Sequence, residues 1–262
     1  MTTVADILSY VTARSGHPLN ADEGVRYGSA ETEVERVLVC FVPSVPALQY
    51  AGEHGYDLVL GHEKLYSPYD PLVSRESHPD WPSWAPNAAR RKLLERYGLT
   101  YARVHGTLDE LVVFDVFAEL LGLGTPCYER GFAKVYEISP RTVGELLQDV
   151  KRRTGLAQVR ASLPQGPRQL VHRVGLPWGG LGLFVNVAYQ QEVIEQGVDV
   201  LIAGESDDYG FRFSADVGIP MIETSHIASE GPGLCRFADQ LRAEMPALQV
   251  DYFVNAPAWE VF

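Results

Sequence analysis

The stretch Glu53-His54-Gly55-Tyr56-Asp57-Leu58-Val59-Leu60-Gly61-His62-Glu63 decides how the chain is read. Gly55 stands where a helix ends and turns, and Asp57–Gly61 (DLVLG) reads as a strand buried on both faces. A second copy, Glu195-Gln196-Gly197-Val198-Asp199-Val200-Leu201-Ile202, follows 142 residues later. Each copy is preceded by a helical stretch and, before that, by an apolar strand such as VLVCFV at 37–42. The alignment also pairs Glu63 with Glu205, both just past strand ends, where open α/β sheets bind ligands. Helix–Gly–x–Asp–strand units also recur by chance in α/β proteins. The repeat therefore points to two related halves of a single unit spanning 1–262, divided near 126/127, without requiring them.

Outward from this stretch the periodicity keeps alternating. Val4, Ile7, Leu8 and Val11 recur at helical spacing, and Pro43-Ser44 opens a short helix to Glu53. Residues 66–86 are proline-rich and carry Trp81 and Trp84, which predicts an ordered surface excursion because tryptophans seek a surface to pack on. A helix over 86–97 and a strand over 101–105 follow. Thr107-Leu108-Asp109-Glu110 matches a capping box with Thr107 as N-cap, leading a helix that Gly122 and Gly124 stop. The second half predicts strands at 170–176, 198–203, 219–224 and 249–254, and helices at 141–154, 184–196 and 231–245. Strands alternating with helices predict an α/β fold with a largely parallel or mixed sheet.

Composition excludes several classes of function. The 262 residues are 46% hydrophobic and 21% charged, with a formal net charge of −12. Such a surface repels nucleic-acid backbones and anionic lipid, and the one dense basic run, Arg90-Arg91-Lys92 with Arg96, reads as the solvated face of a helix. The three cysteines, Cys40, Cys127 and Cys235, show no CxxC spacing, so neither a disulfide framework nor a thiolate metal knuckle is expected. No charged leader with an apolar stretch opens the chain, and no run approaches the roughly 18–20 apolar residues of a membrane span. A cytoplasmic protein is the expectation.

The chemistry collects just past the strands. His62-Glu63 follows one, His105 with Asp109 follows the next, and His226 with Glu230 follows a third. Imidazole nitrogen with carboxylate oxygen and no thiolate is a ligand set for zinc, manganese, iron or cobalt. Six donors exceed one tetrahedral ion and suit two ions about 3.5–4 Å apart. Taken singly, each residue has a plainer role. A lone strand-end histidine is usually a hydrogen-bonded turn residue, and Asp109 or Glu230 at a helix start is favoured by the macrodipole. Pro232 disfavours a helical Gly231, so Glu230 is read near a helix N-terminus with residues 227–229 in a loop. Trp178-Gly179-Gly180-Leu181-Gly182 is a glycine-rich turn placed for an anion but lacks the Lys-Ser/Thr of a P-loop. No G-x-S-x-G supports a serine hydrolase.

These same residues resemble the NGG-interacting-factor-like proteins, known also as GTP cyclohydrolase type 2 homologues. The family's Gly-Ala-Asp-aliphatic-Ser-His-His-Pro block is similar to residues 55–64, and its His-Thr-Asn-Leu-Asp to His105-Gly106-Thr107-Leu108-Asp109. Its Gly-Gly-Ser-Gly loop resembles residues 179–182, its Gly-Ala-Asp-aliphatic-Thr-Gly-Glu block residues 197–205, and its Gly-His-Tyr-Ala-Ser-Glu residues 225–230. The blocks keep the family's order over nearly the whole chain.

The resemblance implies two related, intertwined α/β lobes with mixed sheets and a dinuclear metal centre in the cleft between them. It also implies a homo-hexamer with the sites facing inward. Carried over, the ligands are His62, Glu63, Asp109, His226 and Glu230, with His105 nearby. The family's second histidine is Glu63 here, its following proline is Lys64, and its Asp-Asn-x-Gly block is altered to Asp22-Glu23-Gly24. An anion in place of a neutral ligand favours Mn²⁺ or Mg²⁺ over Zn²⁺. The expectation is therefore a metal-dependent hydrolase holding two divalent ions and acting on a nucleotide-like or phosphoester substrate, with Glu205 moving protons. The alternative is a non-catalytic metal-binding scaffold or regulatory protein.

Overall fold

The computed structural model describes residues 1–68 and 78–259. In chain order it begins with α1 (Val4–Ser15), β1 (Gly24–Tyr27), β2 (Arg36–Cys40), α2 (Val45–Glu53) and β3 (Leu58–Gly61). Next come α3 (Ala85–Tyr97), β4 (Thr100–Arg103), α4 (Gly106–Leu108), α5 (Phe114–Leu121), β5 (Tyr128–Arg130) and β6 (Ala133–Thr142). They are followed by α6 (Val143–Thr154), β7 (Arg160–Ser162), β8 (Leu170–Gly175), α7 (Val187–Glu195), β9 (Val200–Ala203) and α8 (Asp208–Ala215). The chain closes with β10 (Met221–Glu223), α9 (His226–Glu244) and β11 (Gln249–Phe253). No helix among the described residues is long and apolar enough to cross a membrane.

These elements form two compact units. One comprises Met1–Val112 with Leu234–Ala256, the other Val113–Gly233 with the chain end from Pro257. The first holds a five-stranded sheet, β1-β4-β3-β2-β11, in which only β1 runs antiparallel to its neighbour. The second holds a six-stranded sheet, β5-β6-β8-β9-β10-β7, with β8, β9 and β10 parallel and the outer pairings antiparallel. The α/β reading with mixed sheets is thus correct.

The central strands are apolar because both faces are covered. Val37, Leu38, Val39, Leu58, Val59 and Leu60 are fully buried, as are Val200, Leu201 and Ile202 in the second unit. Leu38, Leu48, Val59, Leu94 and Tyr101 form the core of the first unit, and Val135, Val193, Leu201 and Met221 that of the second. Residues 69–77 of the proline-rich stretch lie outside the described residues. On either side of them the chain is tied to α3, since Asn87 accepts from the Ser67 N–H and donates to the Ser67 and Trp81 carbonyls.

The repeated aspartate does the same work in both units. Asp57 Oδ2 accepts the backbone N–H groups of Glu35 and Arg36, each at 2.9 Å, where β2 begins. Asp199 accepts those of His172 and Arg173 at 2.9–3.0 Å, inside β8. In each case the aspartate's own N–H returns to the neighbouring strand, Asp57 to the Arg36 carbonyl and Asp199 to that of Arg173. The pattern read from sequence is therefore a register lock between a strand and its parallel neighbour. Asp57→Ala should lower stability by about 1.5–3 kcal/mol in urea unfolding, and Asp57→Asn, which keeps one acceptor oxygen, by less. An unchanged midpoint for Asp57→Ala would show that the carboxylate does not hold the strand.

Candidate metal centre

In the first unit the parallel register sets the ends of β3 and β4 side by side, with Gly61 opposite Arg103. The next residues are therefore also level. His62 is fully buried, and its Nδ1 lies 3.2 Å from the Val104 carbonyl, which leaves Nε2 turned to Asp109 Oδ1 at 3.5 Å. The rings of His62 and His105 are 4.7 Å apart. Ligand atoms of His62, His105 and Asp109 all lie within 4.8 Å of one another. Two imidazoles and a carboxylate, buried or half-buried, suit a divalent cation: the imidazoles bring no charge, and an ion would offset that of the carboxylate.

Glu63 occupies the turn after β3, its N–H donating to the Phe41 carbonyl at 2.8 Å and its own carbonyl accepting the Tyr101 hydroxyl. A Cβ on Gly61 would stand 2.4 Å from that hydroxyl oxygen, so the close crossing of ring and backbone requires glycine.

The turn carrying His105 and Asp109 is built differently from the sequence reading. Thr107 is not an N-cap. The helical run starts at Gly106, and its cap residue His105 makes no capping bond through its side chain. The cap comes from Glu23, more than eighty residues earlier in the chain. Its carboxylate accepts the N–H of His105 at 2.6 Å, the N–H of Thr107 at 2.9 Å and the Thr107 hydroxyl at 2.6 Å. It also accepts the Asn20 N–H at 2.8 Å. Burial opposes charge on Glu23, but these four donors outweigh it and hold the carboxyl below its ordinary range. The helix then widens into a π-turn over Asp109–Val113 before continuing as α5. Such turns favour functional sites, and this one begins on the candidate ligand itself.

In the second unit the ends of β9 and β10 are likewise level, with Ala203 opposite Glu223. The expected loop between His226 and Glu230 is instead the first turn of α9, with Pro232 inside the helix. An interior proline costs about 3 kcal/mol, but Leu234, Phe237 and Leu241 lie along the same helix, each 2% exposed or less. Burying side chains of this kind contributes roughly 1.5–3 kcal/mol apiece, so packing outweighs the local preference. His226 and Glu230 consequently share one helix face, Nε2 lying 3.1 Å from Glu230 Oε1. The other ring nitrogen, Nδ1, is 2.9 Å from Glu205 Oε2.

The glycine-rich turn serves this face. A Cβ on Gly179 would fall 2.0 Å from Glu230 Oε1, and the residue has a φ of +52°. The bare backbone there forms a wall against the carboxylate, held by the Gly179 N–H donating to Ser229 Oγ at 2.9 Å. The glycine turn was marked in the sequence as placed for an anion, but its partner Glu230 was not legible, nor were the roles of Glu23 and Ser229, because these partners lie 50 residues or more apart in sequence.

Fold and donor chemistry together define a protein of two mixed-sheet α/β units with imidazole and carboxylate groups gathered at strand ends. The family model of Duf34/NIF3 (NGG1p interacting factor 3) matches residues 3–257. The chain belongs to that family. A protein of Nostoc sp. named GTP cyclohydrolase 1 type 2 homolog is 26% identical over 219 residues, covering 80% of this chain and 79% of its own. The fold matches that of a Bacillus cereus protein related to NIF3, with a TM-score of 0.78 at 13% identity, covering 100% of this chain and 99% of that one. It also matches a Staphylococcus aureus hypothetical protein, SA1388, with a TM-score of 0.77 at 16% identity and 99% coverage of both chains.

Glu23→Ala strips the acceptor from four donors beneath the His105–Asp109 turn. It should lower the melting temperature by roughly 5–10 °C. A variant melting with the wild type would remove Glu23 from this account.

Proposed function

We propose that the chain is a metal-dependent hydrolase holding two divalent ions and acting on a nucleotide-like or phosphoester substrate. The observation that carries this reading is the convergence of His62, His105 and Asp109 within 4.8 Å in one unit. We assign these three to one ion and His226 with Glu230 to the other, with Glu63 as a further donor. The name of the Nostoc relative, a GTP cyclohydrolase 1 type 2 homolog, supports the substrate class. When bound, two divalent ions lower the pKa of a coordinated water and neutralise charge that develops on the substrate. The protein's part is to hold six donors in place. Glu23 fixes the turn of His105 and Asp109, and the Gly179 backbone walls in Glu230. The carboxylate Glu63 in place of a neutral imidazole makes the donor set harder, which favours Mn²⁺ or Mg²⁺.

Assembly as a homo-hexamer in the cytoplasm belongs to the same proposal, and the net charge of −12 supports a small molecule over nucleic acid as partner. The second reading, a metal-stabilised scaffold or regulator without turnover, draws support from the Glu63-Lys64 pair standing where the family carries His-Pro.

Inductively coupled plasma mass spectrometry on protein purified without chelator should find about two equivalents of divalent metal per chain. Asp109→Ala and His226→Ala should each lower that content. His172→Ala should not, because His172 Nδ1 is engaged by Asp199 at 2.7 Å. Equal metal in all three variants would sink the ligand assignment. Chelation should abolish hydrolysis across a nucleotide and phosphoester panel, and added ions should restore it. The scaffold reading instead predicts no metal-dependent turnover at all.

A further inference from the structure

We infer that Glu205 is a positioning residue that fixes His226 with Nε2 as its metal-binding atom, a deepening that rests on the assignment of His226 as a ligand. The sequence marks Glu205 only as the counterpart of Glu63 and so as a proton carrier. The structure gives it a nearer task. Three consecutive residues at the end of β9 grip three consecutive residues after β10. The Ala203 carbonyl accepts both the N–H and the hydroxyl of Thr224, at 2.9 and 3.0 Å. The Gly204 carbonyl accepts the Ser225 N–H at 2.7 Å. The Glu205 carboxylate, Oε2, sits 2.9 Å from His226 Nδ1.

The backbone is held hard enough to sustain strain at the middle position. Ser225 has a φ of 103°, the only positive value at a non-glycine among the described residues. Its N–H is tied to Gly204, while its hydroxyl oxygen accepts the Ala228 N–H at 3.2 Å at the start of α9. The Ser229 hydroxyl donates to the His226 carbonyl at 2.7 Å, bracing the same residue from the other side. His226 is therefore fixed both through its backbone and through one ring nitrogen.

A histidine that ligates a metal through one nitrogen gives its other N–H to a carboxylate or a backbone carbonyl. That bond sets the tautomer and raises the basicity of the ligating nitrogen. Both kinds of partner occur here. His62 has Nδ1 on the Val104 carbonyl, a neutral acceptor, whereas His226 has Nδ1 on an anion. The two units thus present Nε2 by the same device at different strengths. The repeat positions have also diverged in role: Glu63 is assigned as a donor to the ion, and its counterpart Glu205 acts through His226.

The test uses full-length protein loaded with Zn²⁺, followed by stepwise competition with a chelator and by ¹⁵N-histidine NMR. Wild type should show His226 coordinated through Nε2 with Nδ1 protonated. Glu205→Gln, which keeps an acceptor oxygen but loses the charge, and Glu205→Ala, which loses both, should weaken one of the two ions and leave the other unchanged. The loss expected is about 10–100-fold, larger for Ala than for Gln. Zn²⁺ bound by wild type through Nδ1 of His226, or an affinity within twofold of wild type in Glu205→Ala, would overturn the inference alone. A drop in both ions together with a lower melting temperature would mark Glu205 as merely structural and overturn it too. Wild type that takes up no Zn²⁺ would overturn the ligand assignment beneath it.

Discussion

An aspartate carboxylate that accepts two backbone N–H groups of the neighbouring parallel strand fixes, in each unit, a strand that carries candidate site residues at its far end, β3 before His62 and Glu63 and β9 before Glu205. Parallel strands have no tight hairpin to set their register, so something else must specify it. Asp57 does so for β2 and β3, and Asp199 for β8 and β9. With strands of only four to six residues, a slip of one position would turn each side chain to the other face and move the strand end by about 3.3 Å. The polar residues after Gly61 and Arg103, and after Ala203 and Glu223, come level in pairs through the separate registers of β3 with β4 and of β9 with β10.

Each candidate donor is then fixed by a second interaction from outside its own segment. His62 leans on the Val104 carbonyl, the His105–Asp109 turn sits on Glu23, and Glu230 is backed by the bare wall at Gly179. Where two positions conflict with local preference, packing and hydrogen bonding override it. Ser225 holds a positive φ, and Pro232 stays inside α9. Strain that persists only because its surroundings over-determine it is characteristic of sites where a side chain must be aimed.

What was legible in the sequence was whatever depends on near neighbours. Apolar runs at 37–42 and 58–60 marked strands buried on both faces, and the Gly-x-Asp repeat marked equivalent turns in both units. The histidines and acids stood out because they follow such runs directly. What depends on distant partners was not legible. Thr107 and Glu110 have the spacing of a capping box, yet Glu23 takes the N–H and hydroxyl of Thr107. Gly231-Pro232 reads as a helix start, yet the apolar face from Leu234 to Leu241 carries the helix through it. The strands β1, β5, β6 and β7 and the helix α8 escaped notice because none carries a continuous apolar run, and β5 and β7 are only three residues long and largely exposed.

The central proposal is that the gathered histidine and carboxylate donors hold divalent ions. X-ray absorption fine structure on the Mn²⁺- or Zn²⁺-loaded protein tests it most directly. The account predicts a first shell of nitrogen and oxygen only, imidazole scattering beyond it, and a metal neighbour at about 3.5–4 Å. A sulfur shell, or a bound ion without imidazole scattering, would contradict it.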